Sequence, residues 1–262
     1  MSSSIPAAIS CGGWIRRYRH VPSPRLRLVC FAHAGGSAGA FRAWPGLLPQ
    51  DVEMLAVQYP GRQDRFGEPC VDSMEPMAVG IAAALTPFLD RPVAFFGHSL
   101  GAAVAYEVAL RLERMHGTPP AHLFVSGRSA PSRPRPSRNL HRLDDDALLE
   151  ELSALGGMDG QVLADPGLRA VVMPALRADV RIAETYRAEP GLRTGAPVTA
   201  YHGDRDASVE AADAQAWSEH TASDFACRQF PGDHFYLQAR APELVADLAT
   251  RLDGVGHPGR AA

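Results

Sequence analysis

Lysine is absent from this sequence: all 26 basic residues are arginine. That excludes a lysine Schiff base, the phosphate-binding lysine of a Walker loop and the strand lysine of a protein kinase. Cysteine is scarce as well. Cys11, Cys30, Cys70 and Cys227 are scattered without CxxC spacing, which suggests neither a zinc site nor a disulfide framework and reads as reduced, structural thiols. The longest apolar runs, such as 81–85 and 92–96, fall far short of the roughly 20 residues of a membrane helix, so no membrane association is expected. Residues 1–10 lack the basic and apolar regions of a secretory signal, and a cytoplasmic location is expected. With a formal charge of -3 and no basic run beyond the Arg-Pro-Arg spacing near residue 135, nucleic-acid binding has little electrostatic support. Internal repeats are absent.

What is present is a chain of 262 residues, 46% hydrophobic and 21% charged, long enough to bury a core without disulfide or metal staples. One domain over 1–262 is expected. Short β-branched or aromatic runs at 26–32, 52–58, 92–96, 122–126, 197–202 and 225–230 alternate with helical patterns at 74–89, 100–115, 209–219 and 242–252. This alternation predicts an α/β fold, a mostly parallel sheet flanked by helices. It breaks between Arg128 and Gly195. That stretch opens on a proline- and arginine-rich run, 129–138, and continues with helical patterns at 144–155 and 168–186. It reads as a helical lid inserted over approximately 128–195. Leu148, Leu149 and Leu152 share one helical face, and Val172, Leu176 and Val180 share another. Those faces either line an apolar pocket or bury each other. The last residues, 254–262, look frayed.

The sharpest chemical signal is Gly97-His98-Ser99-Leu100-Gly101 between a strand and a helix. Glycines at both flanks permit the tight turn that lifts a serine hydroxyl clear of a sheet and places it at a helix N-terminus; the plain alternative is a serine N-cap. A nucleophilic serine needs a base and the base an orienting carboxylate, in the chain order Ser, Asp, His. Gly203-Asp204-Arg205-Asp206 and Pro231-Gly232-Asp233-His234-Phe235 follow the two last strands, beyond carboxyl ends where ligands collect. Of ten histidines, His234 alone combines that location with a position after both serine and acid. Asp206 is preferred to Asp204 as orienter, because the acid nearer the strand is better placed to close the turn. Asp233, adjacent to the histidine, reads as a turn residue. His33-Ala34-Gly35-Gly36 follows the first strong strand and lets backbone approach a ligand closely, so the amides of Ala34 and Leu100 are assigned to an oxyanion hole. A simple glycine turn is the alternative there.

Taken together, these residues resemble the type II thioesterases that accompany modular polyketide and nonribosomal peptide synthases, within the α/β-hydrolase superfamily. The resemblance spans nearly the whole chain. It runs through Phe31-Ala32-His33-Ala34-Gly35-Gly36, Tyr59-Pro60-Gly61-Arg62 with Arg65 and Glu68-Pro69, and Gly97-His98-Ser99-Leu100-Gly101-Ala102 with Tyr106-Glu107. It continues in Ser126-Gly127-Arg128 with Ala130-Pro131, Arg177-Ala178-Asp179 with Glu184 and Tyr186, Gly203-Asp204-Arg205-Asp206 with Trp217, and His234-Phe235. Ala207 stands where the family commonly has proline, and Asp233 where it commonly has glycine; neither removes a functional atom. The arginine of Pro60-Gly61-Arg62 has no chemical role derivable from sequence and reads as a structural salt bridge.

The resemblance implies Ser99 as nucleophile, His234 as base, Asp206 as orienter and the amides of Ala34 and Leu100 as oxyanion donors. It implies hydrolysis of acyl thioesters on the phosphopantetheine arm of an acyl carrier protein or peptidyl carrier domain. The role would be editing of stalled synthases or release of a free fatty acid, performed by a monomer without metal or organic cofactor. Two other readings use the same residues: a small-ester carboxylesterase, and a hydrolase-fold binding protein that turns over negligibly.

Overall fold

Every residue of the strand Leu26–Phe31 is buried, including Arg27. Its guanidinium survives there because Glu53 on the adjacent strand accepts from Nε at 3.0 Å and Asp90 pairs with Nη1. Burial on both faces is what a parallel sheet sandwiched by helices demands.

The computed structural model describes residues 9–11, 13–133, 136–153 and 165–256. The chain begins with two three-residue strands, β1 (Ile9–Cys11) and β2 (Ile15–Arg17), then β3 (Leu26–Phe31), β4 (Val52–Val57), α1 (Met74–Leu85), β5 (Val93–His98) and α2 (Leu100–His116). Next come β6 (His122–Ser126), α3 (Asp145–Ser153), α4 (Pro166–Thr185), β7 (Val198–Gly203) and α5 (Ala211–Gln215). The order closes with β8 (Phe225–Phe230), α6 (Tyr236–Ala239) and α7 (Ala241–Arg251). One sheet joins the strands in the order β1-β2-β4-β3-β5-β6-β7-β8. Its pairs are parallel from β4 through β8, and β1–β2 and β2–β4 are antiparallel.

Several boundaries differ from the sequence expectation. The hairpin of β1 and β2 has no counterpart among the expected strands, because strands this short carry no readable period. The pattern at 74–89 ends as α-helix at Leu85 and continues as a 3-10 turn, Thr86–Phe88, where Pro87 lacks the N–H that an α-helix needs. Likewise 209–219 is a short helix, α5, followed by the 3-10 turn Ala216–His220. The expected helix at 144–155 is seen as Asp145–Ser153, with residues 154 and 155 outside the described residues, as are 257–262 of the tail.

Helix α4 starts where Asp165 accepts hydrogen bonds from Gly167 N and Leu168 N, with Pro166 in the first turn. On α3 and α4, Leu148, Leu149, Met173, Leu176 and Val180 bury one another in a cluster separate from the main core, with the half-buried Ala34 against it. Among the described residues, no helix is long and apolar enough to cross a membrane.

Candidate active site

Phe31 of β3 lies in register with Gly97 of β5. The segments leaving these two strands therefore emerge side by side, three residues on at Ala34 and Leu100. This is also where the strand order reverses, since β3 has β4 on one side and β5 on the other; in open α/β sheets ligands bind at such a switch point.

Ser99 joins β5 to α2 with φ 56° and ψ -117°, a conformation that costs a non-glycine residue of order 1–3 kcal/mol and persists only where its surroundings enforce it. They do so here. The Ser99 amide donates to Ser126 O at 2.7 Å, and Ala102 N donates to Ser99 O at 3.1 Å. A β-carbon on Gly97 would fall 2.1 Å from Gly101 O, and one on Gly101 would fall 2.1 Å from Phe31 O. Backbone approaches backbone on both sides of the serine, which is why glycine occupies both positions. Gly101→Ala should accordingly cost roughly 3 kcal/mol or more, read as a fall in melting temperature; an unshifted melting curve would mean the elbow is not this tightly held.

The loop after β3 turns back through a Gly36 N–His33 O hydrogen bond of 2.9 Å, with Gly35 at φ +75°. Among the described residues the amides of Ala34 and Leu100 have no hydrogen-bond acceptor, whereas that of Gly35 donates to Asp179 Oδ2 at 2.8 Å.

Asp206 and His234 come together from the loops after β7 and β8, whose last residues pair as Gly203 with Phe230. His234 Nδ1 lies 2.8 Å from Asp206 Oδ2, and both residues are buried. Burial alone would raise the Asp206 carboxyl, but hydrogen bonds from His234 and Ser208 outweigh it and hold the group below the usual carboxylate value. Asp204 is exposed and accepts from Gly232 N at 2.8 Å, so it ties the two loops together. Asp233, also exposed, accepts from Phe235 N.

Ser99 and His234 line one cavity of about 250 Å³ together with Gly127, Ser208, Ala183 and Trp217. No hydrogen bond joins the Ser99 hydroxyl to His234 among the described residues; such contacts are often loose before substrate binds.

Three participants, Ser208, His98 and Asp179, carry no role readable from sequence. Ser208 donates to Asp206 Oδ1 at 2.6 Å and lies 2.9 Å from His234 Nδ1. A short hydroxyl residue two positions after the acid was the available signal. His98 is fully buried, with Nδ1 2.9 Å from Ser126 Oγ, which in turn lies 2.6 Å from Tyr236 OH. Asp179 is a fully buried carboxylate on α4, bonded by Arg62 through Nη1 at 2.5 Å and Nη2 at 2.8 Å. A charge three residues along from Leu176 on an otherwise apolar face could have been read as needing a partner. The structural reading of Arg62 holds in that it forms this salt bridge.

Three histidines, His33 and His98 beside the site and His122 at the far end of β6, are held neutral. Burial, with the charges of His234 and Arg62, pushes His33 down to about 4, and burial with His234 and His33 pushes His98 well below its ordinary value. His122, stacked on Phe124, is lowered to about 4 by burial and Arg251. Unfolding lets all three take up protons near pH 6.5, so the unfolded state binds more protons and stability falls as pH drops below that value toward 4. Lowering the pH from 7 to 5 should reduce the melting temperature by roughly 5 °C or more; a flat profile would show that these rings are not buried neutral. Among the described residues no group of three His, Cys, Asp or Glu side chains could hold a metal ion.

A mostly parallel sheet in this order, with a serine at a positive-φ turn between strand and helix, is the α/β-hydrolase fold. Comparison with known proteins narrows the class. The thioesterase domain family matches residues 26–252. Thioesterase PikA5 of Streptomyces venezuelae is 45% identical over 248 residues, covering 94% of this chain and 88% of that protein. The type II thioesterase BorB from the borrelidin biosynthetic cluster superposes with a TM-score of 0.85 at 40% identity, over 93% of this chain and 99% of the other. YbtT, a type II thioesterase from the yersiniabactin NRPS/PKS biosynthetic pathway, superposes with a TM-score of 0.81 at 28% identity, over 93% and 100%. The chain belongs to the thioesterase family, and its relatives place it among the serine thioesterases of polyketide and nonribosomal peptide biosynthesis.

Proposed function

We propose that this thioesterase hydrolyses acyl thioesters carried on the phosphopantetheine arm of an acyl carrier protein or peptidyl carrier domain, with Ser99, His234 and Asp206 as its catalytic triad. The 2.8 Å contact between Asp206 and His234, in a cavity shared with the strained Ser99, carries the reading. Ser99 Oγ attacks the thioester carbonyl while His234 accepts its proton. Asp206 orients the ring and stabilises the imidazolium. The amides of Ala34 and Leu100 hold the oxyanion. Collapse expels the pantetheine thiolate, which takes the proton from His234 and leaves an acyl group on Ser99. His234 then draws a proton from water, which attacks the ester, and returns that proton to Ser99 Oγ as the free acid is released. No step requires a metal or an organic cofactor. The monomeric state and cytoplasmic location expected from sequence belong to the same proposal.

The insertion between β6 and β7 acts as a lid, since Ala183 and Tyr186, at the C-terminal end of α4, line the cavity with Ser99. Its leucine and valine faces are spent on each other and do not line that cavity. Val180→Phe should therefore lower the melting temperature by roughly 3–10 °C without altering the acyl-chain profile. Ala183→Phe, three residues on and facing the cavity, should shift preference to shorter chains. The opposite pattern would place the acyl pocket between α3 and α4.

The deciding experiment compares turnover of acyl carrier protein thioesters with that of free small esters, using Ser99→Ala as the blank. Preference for the carrier-bound thioester supports the proposal; equal or better turnover of small esters makes this a general esterase, and no turnover of either makes it a binding protein.

A further inference from the structure

The Arg62–Asp179 pair does more than neutralise two buried charges. A buried ion pair is on average a weak source of stability, and apolar residues of similar volume often serve as well. Apart from a 3.4 Å bond from Arg62 Nε to Pro60 O, this one directs its remaining hydrogen bonds to a single stretch of backbone. Asp179 Oδ2 accepts from Gly35 N at 2.8 Å, and Arg62 Nη1 donates to Gly36 O at 3.0 Å. From the other side Tyr59, whose ring lies 5.3 Å from the Arg62 guanidinium, donates its hydroxyl to Ala32 O at 3.2 Å. The residues bracketed by these contacts are His33 and Ala34. Gly35 N belongs to the peptide that follows Ala34, so holding it fixes the plane next to the amide read above as an oxyanion donor.

We propose that Asp179 and Arg62 are positioning residues for the oxyanion hole: they lock the His33–Gly36 turn so that Ala34 N–H points at the charge that develops on the substrate oxygen. The inference rests on the reading of Ala34 as an oxyanion donor. Asp179 sits on α4, the helix that also contributes Ala183 to the cavity wall. The wall over the substrate and the aim of the amide are therefore set by one element. Such a donor acts through placement to within a fraction of an ångström, and removal of one outright costs roughly 10²–10³ in rate. Loosening it should cost less, about 10- to 100-fold.

The test compares wild type, Arg62→Leu/Asp179→Leu, Asp179→Asn and Asp179→Ala with an acyl N-acetylcysteamine thioester as substrate. Two inhibitors with the same acyl group accompany it: the trifluoromethyl ketone, whose adduct with Ser99 places an oxyanion in the hole, and the unreactive amide. In the paired leucine variant kcat should fall about 10- to 100-fold, and trifluoromethyl ketone affinity should weaken by a similar factor. KM and amide affinity should stay within about threefold. Asp179→Asn keeps an acceptor for Gly35 N and should retain more kcat than Asp179→Ala. Unchanged kcat in the paired variant, or loss of ketone and amide affinity in parallel, overturns the proposal. If the paired variant does not fold, equal kcat in Asp179→Asn and Asp179→Ala overturns it and a higher value for Asn supports it. A folded wild type that does not hydrolyse the thioester at all would instead defeat the underlying thioesterase reading.

Discussion

Ser99→Ala and His234→Ala should each remove nearly all turnover, on the order of 10⁴-fold or more, and the double variant should be scarcely worse than either. The reason lies in how the proton moves. Without His234 the Ser99 hydroxyl remains a weak nucleophile, and without Ser99 the imidazole has no proton to accept, so either loss cancels the same step. Residual rate would come from substrate binding and the amides of Ala34 and Leu100. Steady-state rates of the two single variants and the double decide it: losses that multiply would mean that the residues act independently and that the triad is wrong. A phosphonate or sulfonyl fluoride adduct, located by mass spectrometry, should lie on Ser99 in wild type and be absent from Ser99→Ala.

Asp206→Asn should lower kcat by roughly 10³–10⁴, while Asp204→Asn should stay within several-fold of wild type. An asparagine at 206 could present its NH₂ to His234 Nδ1, favouring the tautomer whose proton sits on the far nitrogen and cannot accept from Ser99. At 204 the amide oxygen can still accept from Gly232 N, so the turn joining the two loops survives. Ser208 complicates the first comparison usefully, because its hydroxyl also lies within reach of Nδ1 and can hold the ring in place after the charge is gone. The Asp206 variant should therefore remain folded with its histidine in position. Reversal of the two effects would move the orienting role to Asp204.

Much of this architecture is legible in the chain because it depends on neighbours in sequence. The six longer strands are short apolar runs separated by helical periodicity, and the elbow is five consecutive residues, its Gly97 forced by Gly101 one turn away even though Gly101 itself is forced by Phe31 on β3. The order Ser99, Asp206, His234 follows from which strands each residue succeeds. What was not legible depends on residues far apart. Asp179 meets Gly35 across 144 positions and Arg62 across 117, and neither separation has a periodic trace. Ser126 is an ordinary strand residue until the fold brings His98 and Tyr236 to its hydroxyl. The leucine faces of the insertion show the converse limit: periodicity revealed that they were buried, but not whether the burying surface was substrate or another helix.

Among the described residues strand β8 has one neighbour, β7, and it carries the exposed Cys227, Arg228 and Gln229 along its length. His234 hangs four residues beyond its end. An edge strand can peel away at lower free energy than strands held on both sides, so the proposed base is suspended from the margin of the sheet while the proposed nucleophile is anchored at its centre. Arg228 is bonded to Asp247 on α7 at 2.6 Å, a tie between that margin and the flanking helix. Partial opening there would disarm the enzyme long before it melted. Backbone amides of 225–230 would then lose protection from deuterium exchange while those of β5 kept theirs, and catalytic lifetime at elevated temperature would be governed by the margin of the sheet and not by its core.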